Sequence, residues 1–469
     1  MTAEVTSLYA DWKKIYPRYQ IGFFRNLRFI IYGLELGIFF ILPWVRWERV
    51  GVDVNQAVLF DLPERKFYIF NWVVWPQDIF LLAFLLIAAA IGLFFITALA
   101  GRVFCGYMCV QTVWTDWFLL VEKWFEGNRN RRVKLDQSPW NREKLLIKFG
   151  KQLVWLLISA WTGITFTLYF ADAPVLLQQY YAGSAPFPAW FTFLFLMLTT
   201  YIMAGFAREQ VCIYMCPYAR FQGVMFDEDS LIVAYHPEFG EPRESNRRNR
   251  EQMGNRVGAC IDCNSCVTVC PTGIDIRNGQ QYECITCAAC IDACDSVRQK
   301  VGFEPRLIRY TSLREMGGGK TRFIRVRVVA YALLLTLCLG GIVGYLANHS
   351  PLEFTVIGHR QPLYILQSDG SIQNNFTVRV LNMTDTQQTY ALDVTGLPGA
   401  TLTVGAVNNR DSQGHPLLTV PPGSVTPFSV YLRQARDHVV SGRQEIFFIL
   451  SAQASLGGTS TYKSIFMRP

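Results

Sequence analysis

Histidine is almost missing from this chain of 469 residues: five occur, at positions 236, 349, 359, 415 and 438, and none lies in a long apolar run. Haem held by paired histidines inside a membrane is thereby excluded. Charge is thin as well, with 17% charged against 51% hydrophobic residues, a balance that argues against a wholly soluble protein. No cleavable signal peptide is visible, because the first apolar run lies far from Met1 and leads into WERVGVDV without a small-residue cleavage site. No phosphate loop exists either: MGGGKT at 316–321 would need glycine at 314 and has Arg314. PGAT at 398–401 is similar to a flavin-attachment tetrapeptide, yet its first position is wrong and it falls in a strand-patterned stretch. Cysteine is absent after residue 338, so the tail must hold together by its core rather than by disulfides.

What the chain has is apolar length. Five runs, at about 28–45, 79–100, 152–171, 189–207 and 328–347, approach the roughly 20 residues a bilayer crossing needs. Glu35 lies in the first, as a snorkelling or helix-paired carboxylate, or as a polar group for a quinone or an ion path. Lys and Arg crowd 101–151 and 208–327 and are missing from the 172–188 loop. That asymmetry places the first two segments on the cytoplasmic face, the N-terminus inside and the C-terminus outside. The net charge of +8 is then mostly a topology signal, and nucleic acid is not an expected partner. Beyond 350, EFTVIGHR, YILQSDGSIQNNFTVRVLNMT, TYALDVTGL, FSVYLR and EIFFILSAQ alternate between turn residues, as in a β-sandwich.

Twelve of the thirteen cysteines fall at or beyond the expected cytoplasmic face, a reducing compartment, where they read as metal ligands or redox thiols before disulfides. Cys338, alone in the fifth run, reads as a small packing residue. CIDCNSCVTVCP from 260 and CITCAACIDAC from 284 both space their cysteines C-x2-C-x2-C-x3-C. Three closely spaced thiolates wrap one iron–sulfur cluster and the fourth arrives from the other run. One [4Fe-4S] cluster would take Cys260, Cys263, Cys266 and Cys294, and the other Cys284, Cys287, Cys290 and Cys270. Zinc also accepts four thiolates, but two runs of this spacing fit it poorly. Residues 255–300 resemble the bacterial two-cluster ferredoxins, with βαβ-type hairpins and short helices; Asp295 stands where Pro271 ends the first run.

A second pattern is a doubled phrase, CGYMC at 105–109 and CIYMC at 212–216, each just after an apolar run. It suggests a duplicated two-helix unit about a pseudo-two-fold axis, with four thiols converging. If each phrase is helical, its cysteines stand at i and i+4 on one face. Cys105, Cys109, Cys212 and Cys216, with the thioethers of Met108 and Met215, are soft donors suited to Cu(I). Helix packing, a thiol–disulfide pair and zinc remain open alternatives. Pro217 follows the second phrase and Val110 the first, so the halves need not be equivalent.

VFCGYMCVQTVWTDWF, VCIYMCPYARFQ and the paired cluster runs, in this order, make nearly the whole chain resemble the cytochrome c oxidase accessory proteins of the CcoG/FixG/RdxA type. The resemblance implies a polytopic α-helical membrane protein of the bacterial inner membrane with an inserted two-cluster ferredoxin module and a C-terminal all-β immunoglobulin-like sandwich. The expected parts are a membrane domain at 1–207, a cytoplasmic iron–sulfur module at 208–325, a fifth span at 326–348 and a periplasmic domain at 349–469. It also implies reduction of Cu(II) to Cu(I) at Cys105, Cys109, Cys212 and Cys216 during assembly of a cbb-type oxidase, served by an unidentified cytoplasmic electron donor and by copper-delivery or oxidase-assembly proteins. Self-association is left open. A quinone-linked respiratory subunit, as in the similar quinol dehydrogenases of periplasmic nitrate reduction, and a non-catalytic copper-handling scaffold are the alternatives.

Overall fold

The computed structural model describes residues 14–49, 54–253, 257–348, 352–384, 386–405, 407–435, 442–453 and 458–468. The chain divides into two compact units, residues 1–45 with 57–342 and residues 46–56 with 343–469.

Among the described residues five helical segments are long and apolar enough to cross a membrane: Phe23–Trp44, Phe80–Ala100, Arg142–Thr167, Phe187–Ala207 and Val326–Ala347. Few of their residues are buried within the protein, as befits side chains solvated by lipid. The third and fourth spans approach closely at Gly163, where a Cβ would stand 2.7 Å from the Phe193 carbonyl oxygen. Trp155 of the third span stacks on Phe118 of the helix Val110–Glu126, with ring centroids 5.1 Å apart, and donates its Nε1–H to the Phe118 carbonyl at 3.1 Å. The 172–188 loop is not all loop. Asp172 caps a helix, Ala173–Ala182, that Gly183 ends in the left-handed conformation.

Three strands, β1 (Val58–Asp61), β2 (Lys66–Ile69) and β3 (Trp72–Val74), form an antiparallel meander before the second span. The iron–sulfur module is bracketed by an antiparallel pair, β4 (Ile232–Tyr235) and β5 (Ile308–Thr311), so its sheet comes from outside residues 255–300. Between them lie the short helix Ser265–Thr268 and the helix Ala289–Lys300. The chain turns after Cys270, whereas Asp295 lets the second helix run on past Cys294. The carboxylate of Asp292, on that helix, accepts the backbone N–H groups of Phe24 at 3.2 Å and Arg25 at 2.8 Å, which caps the first span. Gly22 makes this reach feasible, since a Cβ there would collide with the Asp292 carboxyl group.

In the second unit the strands are β6 (Leu352–Gly358), β7 (Ile365–Leu366), β8 (Ile372–Asn382), β9 (Gln388–Thr395), β10 (Ala400–Val404), β11 (Leu417–Val420), β12 (Ser424–Gln434), β13 (Arg443–Ala452) and β14 (Thr459–Met467). One sheet runs β10-β12-β8-β6 with β7 on β8, and the other β11-β9-β13-β14. Alternate residues of β8 point inward, and Phe376, Val378 and Val380 meet Leu392, Phe448 and Leu450 in one core. The expected sandwich without cysteines is what forms, with its cohesion in apolar burial.

Candidate functional site

The eight module cysteines fall into the two crossed sets. Cys260, Cys263, Cys266 and Cys294 line one cavity, and Cys270, Cys284, Cys287 and Cys290 line another, whose wall Cys266 also reaches. Burial pushes Cys284 and Cys294 up to about 12 and Cys266 up to about 11. Thiolates are therefore costly there unless a cationic group such as iron fills the cavity.

The backbone carries a second mark of fit. Asp262 and Asn264 in the first loop, and Thr286 and Ala288 at the matching places in the second, all have positive φ. Non-glycine residues pay roughly 1–3 kcal/mol each for this, so four at equivalent positions mark a constraint. Such turns alternate right- and left-handed residues and point successive N–H groups into a concavity, the arrangement that receives anionic iron–sulfur centres. The backbone of Thr286 bonds the Cys284 sulfur, and those of Thr272 and Ile274 the Cys270 sulfur. Arg277 holds the first loop: it bonds the Asp262 carboxylate, Asn264 Oδ1 at 2.6 Å and Asp275 at 2.6 Å. The second loop is held instead by Tyr310, whose hydroxyl donates to the Thr286 carbonyl at 2.7 Å.

The doubled phrase is not a pair of continuous helices, so its cysteines do not lie at i and i+4 of one helix. Cys105 lies in the short helix Val103–Tyr107 and Cys212 in a wide π-type turn, Val211–Met215. In both, the chain breaks at the second cysteine, whose N–H reaches back to the carbonyl before the first: Cys109 to Phe104 at 3.0 Å and Cys216 to Val211 at 2.8 Å. Cys109 and Cys216 then each cap a new helix, Val110–Glu126 and Pro217–Met225, with extended backbone. Val110 and Pro217 both take the first helical position, so the sequence difference leaves the geometry alike. Two helix N-termini thus abut the thiols and favour negative charge there.

The four thiols sense one another. Burial first, then the neighbouring Cys109, Cys212 and Cys216, raise Cys105 to about 12; burial, then Cys109 and Cys216, raise Cys212 to about 11. Among the described residues, however, no three His, Cys, Asp or Glu side chains are grouped so that they could hold one metal ion. Met108 and Met215 are exposed, and Met108 lines a cavity between the spans.

Composition and spacing did not single out the side chains that fix this face. Arg102 is buried beside the first phrase; its guanidinium bonds the Tyr282 and Ala219 carbonyls, while its Nε has no partner among the described residues. Its charge works to lower Cys105, Cys212 and Cys284 against their burial. Arg208, buried before the second phrase with φ +43°, pairs with Glu122 at 3.1 Å, and its carbonyl accepts from Gln111 at 3.1 Å. It ties the second phrase to the helix that begins at Cys109. The available signal was one arginine shortly before each phrase, hidden among residues counted for topology.

The first phrase also touches the module. Cys105, Ile285 and Cys287 share one apolar cluster. At Gly106 the backbones meet: a Cβ would stand 2.7 Å from the Ile285 carbonyl oxygen and 2.9 Å from Cys287 Cα. Tyr32 donates to the Gly106 carbonyl at 3.1 Å, and the hydroxyls of Tyr107 and Tyr310 lie 3.2 Å apart.

Residues 207–313 match the family described as "4Fe-4S dicluster domain", and residues 82–132 match "4Fe-4S binding domain". With the spans, this defines a membrane-bound iron–sulfur protein of electron transfer, an oxidoreductase by class, with two [4Fe-4S] clusters. Residues 342–469 match "IG-like fold at C-terminal of FixG". "Nitrogen fixation protein FixG" of Rhizobium meliloti is 39% identical, over 98% of this chain and 94% of its own. "Protein RdxB" and "Protein RdxA" of Cereibacter sphaeroides are 42% and 41% identical, over 92% and 89% of this chain and 90% and 91% of theirs. The chain belongs to the FixG/RdxA family.

Proposed function

We propose that this protein reduces Cu(II) to Cu(I) at the thiols of Cys105, Cys109, Cys212 and Cys216, for assembly of a cbb-type cytochrome c oxidase. The observation that carries the reading is the convergence of both cysteine pairs, with Cys105 of the first packed against Cys287. Soft thiolates stabilise the reduced ion and so favour electron gain by copper. The two helix N-termini and Arg102 work toward the thiolate form against the burial that raises Cys105 and Cys212, and Met108 and Met215 are the thioethers nearest in sequence. The two [4Fe-4S] clusters, held by Cys260, Cys263, Cys266 and Cys294 and by Cys270, Cys284, Cys287 and Cys290, supply one-electron transfer when bound. In this reading the module faces the cytoplasm of a bacterium, where its electron donor resides, and the IG-like domain faces the periplasm and the proteins that receive copper or assemble the oxidase.

The test is to reduce anaerobically purified protein, add Cu(II), and follow cluster absorbance together with a Cu(I) chelator. Wild type should produce Cu(I) as the clusters oxidise, and the Cys105→Ser/Cys216→Ser double variant should not. Cluster oxidation unchanged in the variant would reject the thiols as the reduction site. Cys263→Ser should abolish reduction; copper transfer without loss would favour a scaffold.

A second reading is favoured by the match to a 4Fe-4S binding domain at 82–132, whose only cysteines are Cys105 and Cys109, and by the lack of a single-ion grouping. Here the four thiols hold a further iron–sulfur centre. Bound iron in the double variant then falls by about a third, whereas under the copper reading it is unchanged.

A further inference from the structure

A cavity of about 600 Å³ lies between the first, third and fourth spans and the helix that starts at Cys109, within the size range of small-molecule sites. Its walls are mostly apolar, and Met108 and Val110, on either side of Cys109, form part of them. Two polar groups in it stand out. Glu35 is half-buried, and among the described residues its carboxylate has neither hydrogen bond nor ion pair. Gln111 spends its amide nitrogen on the Met203 carbonyl at 2.9 Å and the Arg208 carbonyl at 3.1 Å, which leaves its Oε1 as an acceptor. Thr162 and Thr199, also in the wall, donate their hydroxyl protons back to their own helices at 2.8 and 2.9 Å. Thr200 and Trp114 also line the wall and can donate, so the groups that lack a donor of their own are the Glu35 carboxylate and the Gln111 Oε1. A carboxylate inside a membrane is costly unless something bonds it.

We infer that this cavity binds the head of a lipid-soluble quinol, the apolar ring filling its walls and the two hydroxyls donating to Glu35 and Gln111. The Glu35 carboxylate favours the reduced form, because a quinol can donate to it and a quinone, with carbonyl acceptors alone, cannot. A phospholipid acyl chain suits the walls but leaves Glu35 unbonded. The inference concerns binding and stands apart from whether copper is the electron acceptor.

The test uses the full chain in nanodiscs of fixed lipid under anaerobic conditions, titrated with a short-chain benzoquinol and with its quinone. Quinol should bind saturably and more tightly than quinone. Glu35→Leu should weaken quinol about tenfold and leave quinone little changed, as expected for losing one bond to a charged group. Thr199→Trp, which fills the cavity from the fourth span, should abolish both while module absorbance stays intact. Equal binding of the two forms, or quinol binding indifferent to both variants, overturns the inference. Absence of saturable quinol binding, with lipid retained more tightly in Glu35→Leu, assigns the cavity to an acyl chain and overturns it too.

Discussion

Replacing Gly106 by alanine tests the join between the thiol phrase and the iron–sulfur module. The new Cβ would stand 2.7 Å from the Ile285 carbonyl oxygen, 2.9 Å from Cys287 Cα and 3.1 Å from Cys287 N. All three are backbone atoms, so no side chain can rotate aside. Forcing such contacts costs about 1–3 kcal/mol, and here the upper part of the range applies. Against this, alanine is worth about 0.5–1 kcal/mol over glycine inside the helix Val103–Tyr107. The net is a loss of about 1–2 kcal/mol, confined to the contact. Gly37→Ala in the first span is the control, because nothing lies within 4 Å of its Cβ and only the helix gain remains. Hydrogen exchange on anaerobically prepared protein should show faster opening of residues 284–290 in Gly106→Ala and not in Gly37→Ala. The paramagnetic signal of one reduced cluster should shift while the other is retained. Equal exchange and identical spectra in the two variants would refute the argument that the phrase and the second cluster loop are in backbone contact.

Three further outcomes follow from named contacts. Arg277→Ala removes the bonds that hold Asp262 and Asn264 in their left-handed conformation, so the first cluster should bleach in air several times faster while the second keeps its rate. Asp292→Ala uncaps the first span and should cost about 1 kcal/mol, read as faster proteolysis of the module from the membrane helices. Burial works to raise the Glu122 carboxyl, but Arg208, Lys151 and Arg132 outweigh it and hold it down at about 2. A depressed value means the stabilisation is complete above the unfolded carboxylate range, near pH 4.5, and is lost as pH falls toward about 2. Glu122→Gln should therefore lower stability by on the order of 3 kcal/mol at neutral pH and flatten its acid dependence over that window, as measured by chemical unfolding at a series of pH values.

The cluster thiols were legible because ligand reach fixes their spacing, and the spans because lipid leaves little choice of side chain. The supports of the site were not. Thr286 and Ala288 carry no sign of a left-handed backbone, since the constraint comes from the cavity they wrap. β4 and β5 are short strands far apart in sequence, the first buried and the second partly so, visible only once they pair. In the sandwich, β14 alternates mostly between exposed and half-buried residues, a pattern too polar to stand out, whereas β8 and β13 announced themselves by inward-facing aliphatic and aromatic residues. The helix Ala173–Ala182 was signalled by Asp172 and Gly183 but masked by the lack of charge that marked the segment as an outer loop.

The two phrases break alike at their second cysteine and differ in what their second residues permit. Position 106 is glycine in the first phrase and its counterpart is Ile213 in the second. Only a residue without a Cβ lets the Ile285–Cys287 backbone pack onto the helix, so the first phrase alone is shaped to lie under that loop. The second is fastened differently, through Arg208 to Glu122 on the helix that the first phrase caps. One pair of thiols is thus referenced to the module and the other to the helix Val110–Glu126. Relative motion between those parts would change the spacing of the four sulfurs. That asymmetry is the physical reason to expect substitutions at Gly106 and Arg208 to alter thiol reactivity in opposite halves of the site, one through the module and one through the helix Val110–Glu126.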